Sequence, residues 1–114
     1  MKKNDIKNFQ IKKYKNGVYF GEISEEGFKH GKGVVFYFNG RSYEGNFKGD
    51  LKEGKGYEYY PDGAKYSGDF AEGYKHGRGI YEWSNGEVYD GQWETGKKHG
   101  SGMWKSEDGD SYIG

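Results

Sequence analysis

Apolar and polar residues alternate in short runs along this chain, and the runs return at a fixed interval. In Tyr43-Glu44-Gly45-Asn46-Phe47 the first, third and fifth positions are aromatic or glycine and the others polar, and the order recurs at Tyr66 to Phe70 and Tyr89 to Trp93. Successive side chains of a strand point to opposite faces, so a period of two predicts strands with one aromatic, glycine-gapped face. Strands are predicted over Tyr43 to Phe47, Gly56 to Tyr60, Tyr66 to Phe70 and Ile80 to Trp83, and no helix fits between them. On the returning strands Tyr37, Tyr60 and Trp83 hold one equivalent position. Aromatic ladders along the sheet are the expected consequence.

The interval itself is the strongest signal. Tyr-x-Gly begins at Tyr19, Tyr43, Tyr66, Tyr89 and Tyr112, spaced by 24 residues once and by 23 thereafter. Each full unit adds a Gly-x-Gly, ending at Gly33, Gly56, Gly79 and Gly102, and a further glycine seven residues on at Gly40, Gly63, Gly86 and Gly109. Asn39, Asp62, Asn85 and Asp108 precede those last glycines. Asn-Gly and Asp-Gly pairs tolerate positive φ and predict tight type I′ turns. A mid-strand glycine weakens a strand, yet it leaves room for a neighbouring ring to lie across the backbone. Self-similarity of this kind defines a repeat array. Its units run 19–42, 43–65, 66–88 and 89–111, with a partial fifth at 112–114 and a polar segment at 1–18 in which Phe9, Ile11 and Asn16-Gly17 supply a capping strand. The unfinished fifth unit predicts either a piece of a longer array or an edge that pairs with another chain.

Tyr66-Ser67-Gly68-Asp69-Phe70, followed by His76-Gly77-Arg78-Gly79 and Asn85-Gly86, resembles the MORN (membrane occupation and recognition nexus) repeat, and the resemblance covers residues 19–114. It implies an all-β fold, a single-layer twisted antiparallel sheet of tandem β-hairpins, which the alternation predicts independently. The departures are local. The first unit carries one extra residue between Ser24 and Lys29 and has Ile23 where later units have an aromatic. The second has Glu53 in place of the loop histidine and Glu58 where the family favours an aromatic, and the fourth has Ser106 in the position of Tyr37, Tyr60 and Trp83.

Composition narrows the function classes. Only 32% of the 114 residues are apolar, against a usual share near half, so a thick core is not expected. Aromatics at 19% argue against disorder. Lys plus Arg and Asp plus Glu both number 18, which leaves no bulk charge to attract nucleic acid. Cysteine is absent, which removes thiolate metal sites and disulfides. The polar start of the chain and the lack of a long apolar run predict a cytoplasmic protein without leader or membrane span.

Catalysis and cofactor binding are not expected. His30, His76 and His99 share one repeat position, but equivalent residues two strands apart are separated by about 10 Å, too far for one zinc ion. They read instead as loop residues. Gly-x-Gly is read as the end of a hairpin loop with no helix after it to bind phosphate. A single-layer sheet has no deep cleft in which to perturb a pKa.

Two surfaces remain. Lys29, Lys32, Lys75, Arg78, Lys97 and Lys98 are expected on one sheet margin, which would suit anionic phospholipid headgroups, and Asp62, Glu87, Asp90, Asp108 and Asp110 near the other. The aromatic face, with Tyr37, Tyr60, Trp83, Phe47, Phe70 and Trp93, suits a helical or extended protein segment. Tyr43, Phe47, Tyr66, Phe70, Tyr89 and Trp93 are expected mainly to hold the fold. The resemblance implies a non-catalytic scaffold that docks a protein segment or pairs with a second copy, as in ciliary radial-spoke and cytoskeletal adaptor proteins. Its alternative is a peripheral membrane module, the family having been linked to phosphoinositide membranes. A regulatory segment of a larger enzyme is the third reading.

Overall fold

A computed structural model of the chain describes residues 9–114. Of the polar segment 1–18, residues 1–8 lie outside the described residues, while Phe9 and Ile11, read as part of a capping strand, stand on the first strand, which pairs along the second from Gly17 to Glu22. The strands are β1 (Phe9–Tyr14), β2 (Gly17–Ile23), β3 (Lys29–Tyr37), β4 (Ser42–Lys48), β5 (Leu51–Tyr59), β6 (Lys65–Ala71), β7 (Tyr74–Glu82), β8 (Val88–Glu94), β9 (Lys97–Lys105) and β10 (Ser111–Ile113). Each pairs antiparallel with the next to form one open sheet, in sequence order throughout. Its longest dimension is 50 Å. That matches ten strands laid side by side at about 4.8 Å each.

A row of glycines crosses the sheet. Gly21, Gly33, Gly45, Gly56, Gly68, Gly79, Gly91 and Gly102 are successive cross-strand partners from β2 to β9. The phenol rings of Tyr19, Tyr43, Tyr66 and Tyr89 occupy the space that Cβ atoms at Gly33, Gly56, Gly79 and Gly102 would need. Each of these tyrosines donates its hydroxyl to a carbonyl three residues on, at Glu22, Asn46, Asp69 and Gln92, over 2.8, 2.9, 2.9 and 3.1 Å. Phe47, Phe70 and Trp93 then lock neighbouring units together. Phe70 packs edge-on against Tyr43 of the preceding unit at 5.1 Å and against Tyr66 of its own at 5.1 Å. Trp93 repeats this against Tyr66 and Tyr89, both at 5.4 Å. Edge-to-face pairs at such spacings add about 0.5–1.5 kcal/mol beyond the area they bury. These rings are the hydrophobic core of a sheet one layer thick.

Two sequence expectations about turns are corrected. The Asn-Gly and Asp-Gly turns are not type I′, because only the glycine of each pair has positive φ, near 95° at Gly40, Gly63, Gly86 and Gly109. Tyr37 and Gly40 close the first by a 3.0 Å hydrogen bond, and Tyr37 N donates to Arg41 O at 2.9 Å. That is the three-residue hairpin loop with glycine in the left-handed position. The Asn or Asp caps it, since Asn39, Asp62 and Asn85 each accept from the backbone N–H two residues on. Type I′ backbones instead occur at the opposite margin, where Gly49-Asp50, Glu72-Gly73 and Thr95-Gly96 have positive φ at both residues.

Gly-x-Gly does not end a loop. β5, β7 and β9 begin at Leu51, Tyr74 and Lys97, well before it. The pair is a bulge inside the strand: the step from Gly68 to Phe70 on β6 faces that from Gly79 to Lys75 on β7. Gly77, with φ of 64°, takes the left-handed conformation that the extra residues require. For the same reason His30, His76 and His99 are exposed strand residues and not loop residues.

Candidate interaction face

The two faces differ. On the core face, Tyr37, Tyr60, Tyr81, Trp83 and Trp104 are half-buried against the core and keep part of each ring in solvent. Phe47, Phe70 and Trp93 are 4, 3 and 6% exposed, so of the six predicted contact aromatics these three hold the sheet and present almost no surface. Tyr37, Tyr60 and Trp83 do not stack directly as the expected ladder. The guanidinium of Arg41 lies between Tyr37 and Tyr60, 5.8 and 5.3 Å from their ring centres. Tyr81 lies between Tyr60 and Trp83, at 5.6 and 4.6 Å, and Trp83 continues to Trp104 at 4.7 Å. The result is a connected aromatic patch that runs from the second unit to the fourth.

The predicted basic margin is also corrected, because the pleat distributes its members over both faces. Lys75 and Lys98 pair with Phe70 and Trp93 and share the aromatic face, and Lys29 lies over the ring of Tyr14 at 4.1 Å. Lys32 and Arg78 are exposed on the reverse face, where Arg78 meets Asp90 at 3.4 Å, and Lys97 is exposed beside its turn. Asp90 accordingly lies in mid-strand and not at the acidic margin.

Lys29, Lys52, Lys75 and Lys98 recur every 23 residues and line the aromatic face. Each ammonium lies within 6 Å of aromatic ring centres: Lys52 over Tyr37 and Tyr43, Lys75 over Tyr60 and Tyr66, Lys98 over Trp83 and Trp104. Amid them lies Glu58, 4% exposed. Its carboxylate accepts from Lys52 Nζ at 2.8 Å, Arg41 at 3.2 Å and the hydroxyl of Tyr60, and Lys75 stands 3.9 Å away. Burial alone would raise the pKa of Glu58, but Lys52, Tyr60 and Lys75 outweigh it and hold the carboxyl below its ordinary value. Burial, with Glu58 opposing, lowers the pKa of Lys75. Lys52, Arg41, Tyr81 and Trp104 escaped the sequence reading, although the 23-residue spacing of Lys52 from Lys29 and Lys75 marks it. Arg41 has no equivalent in the other units, so no periodicity announces it.

The reverse face carries the exposed rings of Phe20, Phe36, Tyr57 and Tyr59 with Ile80 and Met103. Phe9, Phe20, Val34 and Tyr57 line a depression of about 560 Å³ there. Among the described residues, no three His, Asp or Glu side chains converge to hold a metal ion, and there is no helix.

An open sheet of tandem hairpins, with half-buried rings and cations on one face, defines a repeat module built around a surface and not a cleft. Consecutive matches to the MORN repeat span residues 19–40, 43–65, 66–88 and 89–111, and the chain belongs to the MORN repeat family. Such repeats are typically non-enzymatic modules that bind proteins or membranes. A comparison with the curated proteins gives no match.

Proposed function

We propose that the chain is a non-catalytic scaffold that docks a helical or extended protein segment on the aromatic face, in the cytoplasm and within a cytoskeletal or ciliary assembly of the kind the family resemblance implies. The observation that carries the reading is the continuous contact of Tyr60, Tyr81, Trp83 and Trp104, rings half-buried against the core whose outer parts remain in solvent. Rings held by the sheet lose little conformational entropy on binding, which favours them as contact anchors. The separation of the basic residues onto two faces weighs against a membrane module acting through one basic margin, since Lys32 and Arg78 point away from Lys29, Lys75 and Lys98.

The test is crosslinking mass spectrometry of the chain in cell extract, alongside a Tyr60→Ala, Trp83→Ala variant shown by circular dichroism to be folded. A protein crosslinked to the aromatic face and lost in the variant supports the reading. Binding only to anionic vesicles, reversed by high salt, would replace it with the membrane reading.

A further inference from the structure

The lysine row is unevenly neutralised. Lys29 Nζ has Asp50 at 3.8 Å, and Lys52 Nζ has Glu58 at 2.8 Å. Among the described residues Lys75 has only the far side of Glu58, at 3.9 Å, and that carboxylate already serves Lys52 and Arg41. Lys98 has no carboxylate within 4 Å among the described residues, and its ammonium rests on Trp83 and Trp104 at 4.9 and 4.6 Å. The row therefore ends in two cations, one hairpin apart, that are short of counter-charge and flank Tyr81 and Trp83. Burial lowers the pKa of Lys75 despite the opposing charge of Glu58, and Arg41 and Lys52 lower it further.

We propose that Lys75 and Lys98 form a two-point anion site that selects an acidic amphipathic helix, with carboxylates seven residues apart and apolar side chains between them on the rings of Tyr81 and Trp83. The spacing supplies the register. Equivalent residues of neighbouring hairpins are two strands apart, about 9.6 Å, and a helix returns to the same side after seven residues, about 10.5 Å along its axis. Residues three and four positions after the first carboxylate share its face and fall midway, over the rings. Lys29 and Lys52 are already paired and add little selectivity. This inference rests on the aromatic-face reading above and narrows its partner to an acidic helix.

The test titrates the chain with three synthetic helical peptides, following the fluorescence of Trp83 and Trp104. One carries Glu at positions i and i+7 with Leu at i+3 and i+4, one has Gln in place of both Glu, and one has the second Glu moved to i+5. The first should bind at least roughly tenfold more tightly than the others, the contribution expected of a charge-assisted contact at each end. Lys98→Gln should remove most of that preference, while Lys32→Gln on the reverse face should not. Because Lys75 also touches Glu58, Lys75→Gln is judged only if it folds, and Lys98→Gln together with the peptide series decides the matter. Equal affinity for all three peptides would overturn the anion site, yet loss of all binding in the Tyr60→Ala, Trp83→Ala variant would still uphold the aromatic face. Absence of peptide binding, or Lys98-dependent binding to phosphatidylserine vesicles alone, would overturn the site as well.

Discussion

The ring and hydroxyl of Tyr66 occupy the space in which a side chain on Gly79 would stand. Gly79 has no positive φ, so it is glycine for want of room and not for backbone freedom. Its neighbours across the sheet, Gly68 and Gly91, continue the row on which the core rings rest.

Gly79→Ala should therefore cost about 1–3 kcal/mol, the range for forcing extra volume into a packed core. Gly86→Ala is the comparison: its φ is 95° with nothing within 4 Å. It should lose only the backbone preference, about 1 kcal/mol. Urea unfolding of the two variants checks the order. A larger loss at Gly86 would show that the turns, and not the covered glycine row, limit stability.

Glu58→Gln removes the anion from between Lys52, Lys75 and Arg41. Breaking a buried ion pair costs about 3 kcal/mol or more. The folded pKa of Glu58 is lowered from 4.5, so its contribution is complete above that value and disappears as pH falls through the folded pKa. Denaturation curves of the natural chain and the variant should differ at pH 7 and converge in acid. Coincident curves at pH 7 would mean that Arg41 and the lysines are neutralised by solvent alone.

Burial, the largest cause, pushes the pKa of Tyr19 up to about 12 and raises those of Tyr43, Tyr60, Tyr66 and Tyr81 above the ordinary 10. An acid whose folded pKa is raised stabilises fully below its unfolded value and loses that contribution above it. Lys29 and Lys75, lowered from 10.5, act oppositely, since their strain is relieved as they deprotonate. The tyrosines outnumber them. The urea midpoint should fall steeply above pH 10, and a flat profile to pH 11 would contradict the burial of these phenols.

Glu72 sits in the left-handed region with φ of 51°. Asn tolerates that conformation better than Glu, and its type I′ turn with Gly73 becomes Asn-Gly. Glu72→Asn should raise stability by a few tenths of a kcal/mol up to about 1. An unchanged or lower unfolding temperature would indicate that the hairpin end is frayed in solution.

Much of the fold was legible because the interactions that build it are local and repeated. Tyr43, Gly45 and Phe47 share a face by alternation alone, and the 23-residue interval places each hairpin beside the next. The turns were less legible. Asn85-Gly86 has the composition of a type I′ turn, but a three-residue loop lets Gly86 alone take positive φ while Asn85 caps Glu87 N. Glu72-Gly73 carries weaker turn chemistry, and only strand pairing across Ala71 and Tyr74 makes it the type I′ turn.

The sequence by itself determined the class of fold, the number of units and the aromatic face, because each follows from period and residue type. The tertiary structure decided which residues share a site. Lys75 and Arg78 are three residues apart, yet the bulge and pleat place Lys75 on the aromatic rings and Arg78 against Asp90 on the reverse face. Glu58, an irregularity in the repeat, becomes a buried carboxylate only because Lys52 of its own strand, Tyr60 just past the end of that strand, Arg41 of the turn before β4 and Lys75 of β7 close around it. Burial of a charge is settled by what surrounds it across the sheet, and a one-dimensional pattern does not carry those distances.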